Sequence, residues 1–280
     1  MKNFNYPTTE PFNFLGLDEQ NYQKSRIAVF PVPYSSTTYW KSGTKDGPQA
    51  IIDASRHIEL YDVETKNDLS KNGIFTLPFL EPSKNSPEET MSRIKNVASR
   101  LLRDGKFVMM LGGEHSVTLG AVQAFKDKFS DFSVLQFDAH TDLRDEFEGT
   151  KHHHACVMKR IKDLGISITQ VGIRSVSEGA EADNVFLAPG LPVDKIISSL
   201  KDKVYLTFDL DALDPSIMPS TGTPEPGGLG WYEVLNLIKK ISEKKEIIGA
   251  DVVELDPMPG FHAPDFLAAK LVYKIISYII

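Results

Sequence analysis

The chain has 280 residues, 41% apolar and 25% charged, with a formal net charge of −7. That length suits one large domain or two small ones, and the acidic balance argues against nucleic acid and for a cationic small molecule as partner. Cys156 is the only cysteine, which excludes an intrachain disulfide and fits a cytoplasmic protein. No apolar run approaches the roughly 18 residues of a membrane span, and Met1 to Gln20 lacks the basic and apolar regions of a signal peptide.

In chain order, residues 1–24 read as an N-terminal arm on one domain spanning 1–280. Arg26 to Phe30 predicts a first strand, ended by Pro31 and Pro33. The aromatic, hydroxyl-rich loop from Tyr34 to Gly43 follows, where open α/β sheets place ligand loops. Gly47-Pro48 starts a helix whose apolar pattern takes in His57 as a packed helical histidine. Residues 59–85 read as edge strand and loops. Ser86 as N-cap, Pro87 at the first helical position and Glu89 two residues later start a long helix. Met91, Ile94, Val97, Ala98, Leu101 and Leu102 give it one apolar face, and Asp104-Gly105 stops it.

Beyond it, strand and helix alternate. Strands are expected at 107–111, 132–137, 168–173, 182–188, 204–208 and 247–253. Helices are expected at 116–129, 155–164, 193–200, 231–243 and 263–280, with a charged loop at 143–153 and a Pro/Gly-rich loop at 215–230. The alternation predicts an α/β protein with buried parallel strands.

Three of those strands end in potential metal ligands. Asp138, His140 and Asp142 alternate by two after the run 132–137, which puts them on one side of an extended segment. His115 follows Gly112-Gly113-Glu114, and Asp209 and Asp211 follow the run from Val204. Two histidines and four carboxylates suit a pair of divalent ions, and the oxygen-rich set is closer to Mn²⁺ than to structural Zn²⁺. Four crowded aspartates would repel one another without cations, and the histidines must be neutral to ligate. Gly112-Gly113 is expected to bring the backbone close to the metals. A dimetal site needs a proton carrier and a charge partner: Glu254 is a candidate for the second, and His152, His153 and His154 compete for the first.

Five segments together identify the chain as a resemblance to the ureohydrolases, the arginases and agmatinases. They are Gly112-Gly113-Glu114-His115-Ser116, 138–142, 208–215, 221–229 and Asp251-Val252-Val253-Glu254; the loop from Pro33 through Ile51 also fits. The resemblance covers about residues 25–260. It implies a three-layer α/β/α fold with a mainly parallel eight-stranded sheet, and two Mn²⁺ per subunit. One ion would be held by His115, Asp138, Asp142 and Asp209, the other by Asp138, His140, Asp209 and Asp211. A metal-bridging hydroxide would attack a guanidinium carbon to release an amine and urea. Asp142 would orient the hydroxide and pass on a proton, Glu254 would pair with the guanidinium, and His154, which opens a His-Ala pair, would shuttle the proton. His152 and His153 are then solvated loop residues. The family also implies a homo-trimer or homo-hexamer. A histone-deacetylase-like amidohydrolase, which usually needs one Zn²⁺, fits the double Asp-x-Asp and Asp-x-His-x-Asp pattern less well.

Among ureohydrolases the substrate reading falls on agmatine. Where arginases keep an Asn two residues before the shuttle histidine the chain has His152, and where they keep an acidic contact to the α-amino group it has Ser177. Arginase, guanidinobutyrase, guanidinopropionase and formimidoylglutamase are the runners-up. Tyr34, Tyr39 and Trp40 are expected to cover an aliphatic substrate chain. Glu114 stands where Asp is frequent in the family, and Asp256 where Asn is common.

Overall fold

The computed structural model describes residues 9–38, 40–177 and 184–280. In chain order the elements are β1 (Ile27–Val32), α1 (Gly47–Ser55), β2 (Tyr61–Asp62), β3 (Asn67–Asp68), β4 (Ile74–Thr76), α2 (Pro87–Arg103), β5 (Phe107–Gly112), α3 (Thr118–Lys128), β6 (Ser133–Phe137), α4 (Val157–Asp163), β7 (Ser167–Ile173), β8 (Val185–Leu187), α5 (Val193–Ser199), β9 (Lys203–Asp209), α6 (Trp231–Ser242), β10 (Glu246–Val253) and α7 (Ala263–Ile279). Eight strands form one sheet in the order β4-β1-β5-β10-β9-β6-β7-β8, and every neighbouring pair is parallel. The tiny β2–β3 hairpin stands apart.

The strands are apolar on both faces because helices cover both. Val29, Met109, Leu111, Leu206 and Phe208 pack in one core with residues of α1, α5, α6 and α7. Their chain neighbours Ala28, Phe30, Val108, Met110 and Tyr205 pack in a second core with residues of α2, α3 and α4. This alternation by two, repeated across the sheet, makes three layers, α/β/α, as expected. Ser86 caps α2 as read, its hydroxyl accepting the Glu89 N–H at 3.2 Å.

Three local expectations are corrected. Pro31 does not end β1 but lies inside it, opposite Leu111. Its carbonyl, accepting from the Leu80 N–H, faces the flank where β4 has already stopped, so its missing N–H forfeits no ladder bond. α1 stops at Ser55, which leaves His57 on an exposed turn rather than a packed face. Part of the lead-in is core: Phe14 and Leu15 are buried, and their N–H groups donate to Thr76 and Ser55. The close approach that Gly113 permits is to the backbone of Tyr34, whose carbonyl oxygen lies 2.0 Å from where a Cβ would stand. The first eight residues of the arm expected at 1–24, Tyr39 and the start of the strand expected at 182–188 lie outside the described residues.

Candidate metal centre

Four strands adjacent in the sheet, β5, β10, β9 and β6, deliver the candidate residues at their C-terminal ends. Register sets the rim: Phe137 lies opposite Phe208, and Val253 opposite Asp209. The chain leaves β6 with Asp138, β9 with Asp209 and β10 with Glu254, while Gly112-Gly113-Glu114 carries β5 into His115.

The six predicted ligands converge. Nδ1 of His115 lies 3.1 Å from Asp138, 3.2 Å from Asp142 and 3.3 Å from Asp209, in each case from Oδ2. Nδ1 of His140 lies 2.9 Å from Asp211 Oδ2 and 3.5 Å from Asp138 Oδ1. His115, Asp138 and Asp142 thus form one triad, and Asp138, His140 and Asp211 a second that shares Asp138. The buried Nδ1 of His115 makes no hydrogen bond despite the three carboxylates around it. Ligands aimed at one shared point, rather than at one another, leave such an orphan, so the donor set fits a pair of cations.

Backbone and side-chain donors hold the carboxylates in place. Asp209 accepts the Asp211 N–H at 2.9 Å, Asp211 the Ala139 N–H at 2.9 Å, and Asp138 the His140 N–H at 2.5 Å. Buried Gln136, two residues before Asp138 on β6, donates to its other oxygen at 2.6 Å. Asp142 and Glu254 have φ of 50° and 67°, left-handed backbone that non-glycine residues enter at a cost of about 1–3 kcal/mol. Glu254 is anchored there by the His115 N–H, 2.6 Å from Oε1.

The electrostatics are those of a site built for positive charge. Burial alone would push the His115 imidazole down, but the carboxylates of Asp138, Asp142 and Asp209 raise it well above its ordinary value. His140 is likewise opposed by burial and raised to about 12 by Asp211 and Asp138. Burial and the charge of Asp138 push Asp142 up to about 6. Burial raises Asp209 and Asp211 too, reinforced by their carboxylate neighbours. His154 moves the other way, down to about 4, through burial and the positive charge of His115 and His140. Burial, with Glu114 and Asp211 nearby, pushes Glu254 well up.

A cleft of about 320 Å³ opens over these groups, lined by His140, Asp142, His154, Asp209, Asp211 and Glu254 and walled by Thr38, Trp40, Lys41, Arg144 and Phe147. With both triads and the cleft in place, the fold can be set beside known proteins. The profile of the arginase family matches residues 25–277. The chain belongs to the arginase family. It is 38% identical to the N(1)-aminopropylagmatine ureohydrolase of Synechocystis sp., over 97% of this chain and 95% of that one. It is 40% identical to the enzyme of the same name from Thermus thermophilus, over 94% and 93%. The solved structure of agmatine ureohydrolase from Thermoplasma volcanium superposes with a TM-score of 0.87 at 33% identity, covering 96% of this chain and 94% of that one. The chain has a binuclear metal-binding site typical of the arginase family, and the two triads that share Asp138 are the residues placed to hold it. Among the described residues no helix is long and apolar enough to cross a membrane.

The other sequence expectations divide. His153 is not a solvated loop residue: it is 1% exposed, packed edge-on against Phe147, and accepts the Ala155 N–H on Nδ1. His152 is partly exposed, 3.2 Å from Glu88, and does not line the cleft; nor does Ser177. Trp40 reaches the cleft, but Tyr34 is buried in the core and unavailable to a substrate chain. Supporting residues went unassigned in the sequence. Thr207 and Asp251 are buried behind His115, and the Thr207 hydroxyl donates to Asp251 at 2.6 Å. The Arg174 guanidinium donates to the carbonyls of Asp211 at 2.7 Å and Glu225 at 2.6 Å, tying the ligand loop to the 221–229 loop. A polar residue two positions before a ligand, inside an apolar strand, was the available signal for Gln136 and Thr207.

Proposed function

We propose that the chain is a Mn²⁺-dependent ureohydrolase that cleaves agmatine to putrescine and urea. The observation that carries this is the pair of triads sharing Asp138 at the floor of a cleft that also holds Glu254 and His154. Two divalent ions held by His115, Asp138, His140, Asp142, Asp209 and Asp211 would supply a water activated to hydroxide near neutral pH. An oxygen-rich set with one imidazole per triad favours Mn²⁺.

This chain's own residues account for the rest. Glu254, raised by desolvation and neighbouring carboxylates, regains its charged form when a guanidinium is set against it. Asp142 belongs to the first triad and also lines the cleft, so its carboxylate would be placed to orient a nucleophile and to pass a proton toward a bound substrate. His154 is neutral at pH 7 and able to accept a proton, then give it to the departing amine. Trp40 and Phe147 offer aromatic wall to a methylene chain. His152 and Ser177, at the positions where arginases hold substrate α-groups, stand away from the cleft lining.

A second reading has its own support. The Synechocystis and Thermus relatives carry the name N(1)-aminopropylagmatine ureohydrolase. That substrate is agmatine extended at its amine end, so the guanidinium chemistry is unchanged and only the outer cleft differs. The deciding experiment is urea release by the Mn²⁺-loaded protein from agmatine, N(1)-aminopropylagmatine and L-arginine at equal concentration. The highest kcat/KM on agmatine supports the first reading, and on the aminopropyl compound the second. Preference for arginine overturns both. Cytoplasmic location and assembly as a homo-trimer or homo-hexamer complete the reading; sedimentation of the purified chain checks the assembly.

A further inference from the structure

Glu114 is a fully buried carboxylate with no part in the chemistry above. Four donors converge on it. Oε2 accepts the N–H of Ser36 at 2.5 Å and of Thr37 at 2.7 Å. Oε1 accepts the hydroxyls of Thr37 at 2.8 Å and Ser116 at 2.6 Å. Three of the four come from two consecutive residues of the loop after β1, which continues into the cleft wall at Thr38, Trp40 and Lys41.

Thr37 passes the arrangement on. Its oxygen accepts the backbone N–H of His154 at 3.0 Å and lies 3.5 Å from His154 Nδ1, at the long end of hydrogen-bond range. A threonine hydroxyl has one proton, and here it goes to Glu114. The oxygen is left as an acceptor only, so the ring nitrogen facing it is satisfied when that nitrogen carries hydrogen. The basic lone pair then falls to Nε2, the nitrogen turned away from Thr37.

We infer that Glu114 is a positioning residue that acts through Thr37 to fix both the placement of His154 and its Nδ1–H tautomer. The inference rests on the reading of His154 as the proton carrier. It explains why a loop far from β5 in sequence is clamped by the residue next to a candidate metal ligand: Glu114 joins the loop after β1 to the end of β5, and Thr37 joins that loop to the turn that carries His154.

The test reads the tautomer directly. In ¹⁵N-histidine-labelled full chain loaded with Zn²⁺, which is diamagnetic, His154 is assigned by the loss of its signals in His154→Ala. The expected spectrum shows Nδ1 protonated and Nε2 bare at neutral pH. Glu114→Gln turns an amide donor toward Thr37, frees the threonine proton for His154 and moves the ring hydrogen to Nε2. Turnover of the Mn²⁺-loaded variant then falls about 100-fold in kcat, the scale of a lost acid–base group, with KM within about threefold. Thr37→Val lowers kcat with metal content intact, and Thr37→Ser restores it. A bare Nδ1 in the unmodified protein overturns the inference. So does equal turnover in Thr37→Val and Thr37→Ser, a comparison that stands even if Glu114→Gln does not fold. Full kcat in His154→Ala would instead remove the proton-carrier reading, with the tautomer still decided by the spectrum.

Discussion

Nε2 of His115 lies 2.9 Å from the hydroxyl oxygen of Thr207. That hydroxyl gives its proton to Asp251, which also accepts from Tyr205 at 2.7 Å. The oxygen facing His115 is therefore an acceptor, Nε2 carries the ring hydrogen, and Nδ1 keeps its lone pair for a metal. Outer partners of this kind orient a ligating imidazole and raise its basicity. Thr207→Val, nearly the same shape without the hydroxyl, should weaken metal affinity about 10- to 100-fold, measured by competition with a fluorescent chelator. It should also cost about 1–3 kcal/mol of stability by stripping Asp251 of a donor. Unchanged affinity would remove Thr207 from the ligand support.

Asp138 belongs to both triads, whereas His140 and Asp211 belong to one. Asp138→Ala should strip both ions and nearly all urea release. His140→Ala should lower the bound metal toward one ion per chain. Metal analysis after gel filtration at equal Mn²⁺ distinguishes the two outcomes, and identical stoichiometry in both variants would contradict the shared-carboxylate arrangement.

Protons and metals compete for the same imidazoles. Without cations, His140 holds its proton to about pH 12 and His115 to well above its ordinary value, because the aspartates favour imidazolium despite the burial. Metal binding must expel those protons, so overall affinity should rise about 10- to 100-fold per pH unit through the neutral range, the slope of one to two protons released. The sign of stability follows. Groups raised in the folded state contribute stability that is full below their unfolded value, near pH 6.5 for histidine, and that is lost as pH rises through the folded value. Chelator-treated protein should thus become less stable from pH 6.5 to 9, while Mn²⁺-loaded protein does not. Urea titrations at both ends of that range are the check.

Gly113 has no room for a side chain, since its Cβ would sit 2.0 Å from the Tyr34 carbonyl oxygen, a backbone atom unable to swing aside. Gly113→Ala should force β5 and the loop after β1 apart, destabilising by about 1–3 kcal/mol in the manner of overpacking. The same shift should lower kcat, because Glu254 donates its backbone N–H to the Gly113 carbonyl. Wild-type melting and turnover in Gly113→Ala would show that this contact yields freely.

The convergence of the candidate ligands was legible in the sequence because each cluster follows an apolar strand, and the spacing of Asp138, His140 and Asp142 already placed them on one side of the chain. The fold was legible for a related reason: the alternation of apolar strands with amphipathic helices leaves few ways to bury both. What escaped were residues whose roles depend on distant partners. Nothing local marks Thr37 as the link between Glu114 and His154, which are 40 residues apart, or Asp251 as the acceptor behind Thr207. His153 looked solvated because its neighbours are charged, yet Phe147 folds back over it. Pro31 looked like a strand end because the early stop of β4 cannot be seen from β1 alone.

The rim of β5, β10, β9 and β6 has a last implication, for the order of events during folding. Its ligands stand side by side in space, yet His115 and the Glu254 that anchors it are 139 positions apart along the chain. Parallel strands so far apart join late, since loops must close before their contacts return any stabilisation. A chain still missing β10 leaves β5, which leads into His115, unjoined to β9 and β6, so the rim is complete only when β10 closes the sheet. Cations bound at that rim would therefore act as a latch on finished molecules: by mass action they would favour the fully assembled sheet over shorter-lived precursors.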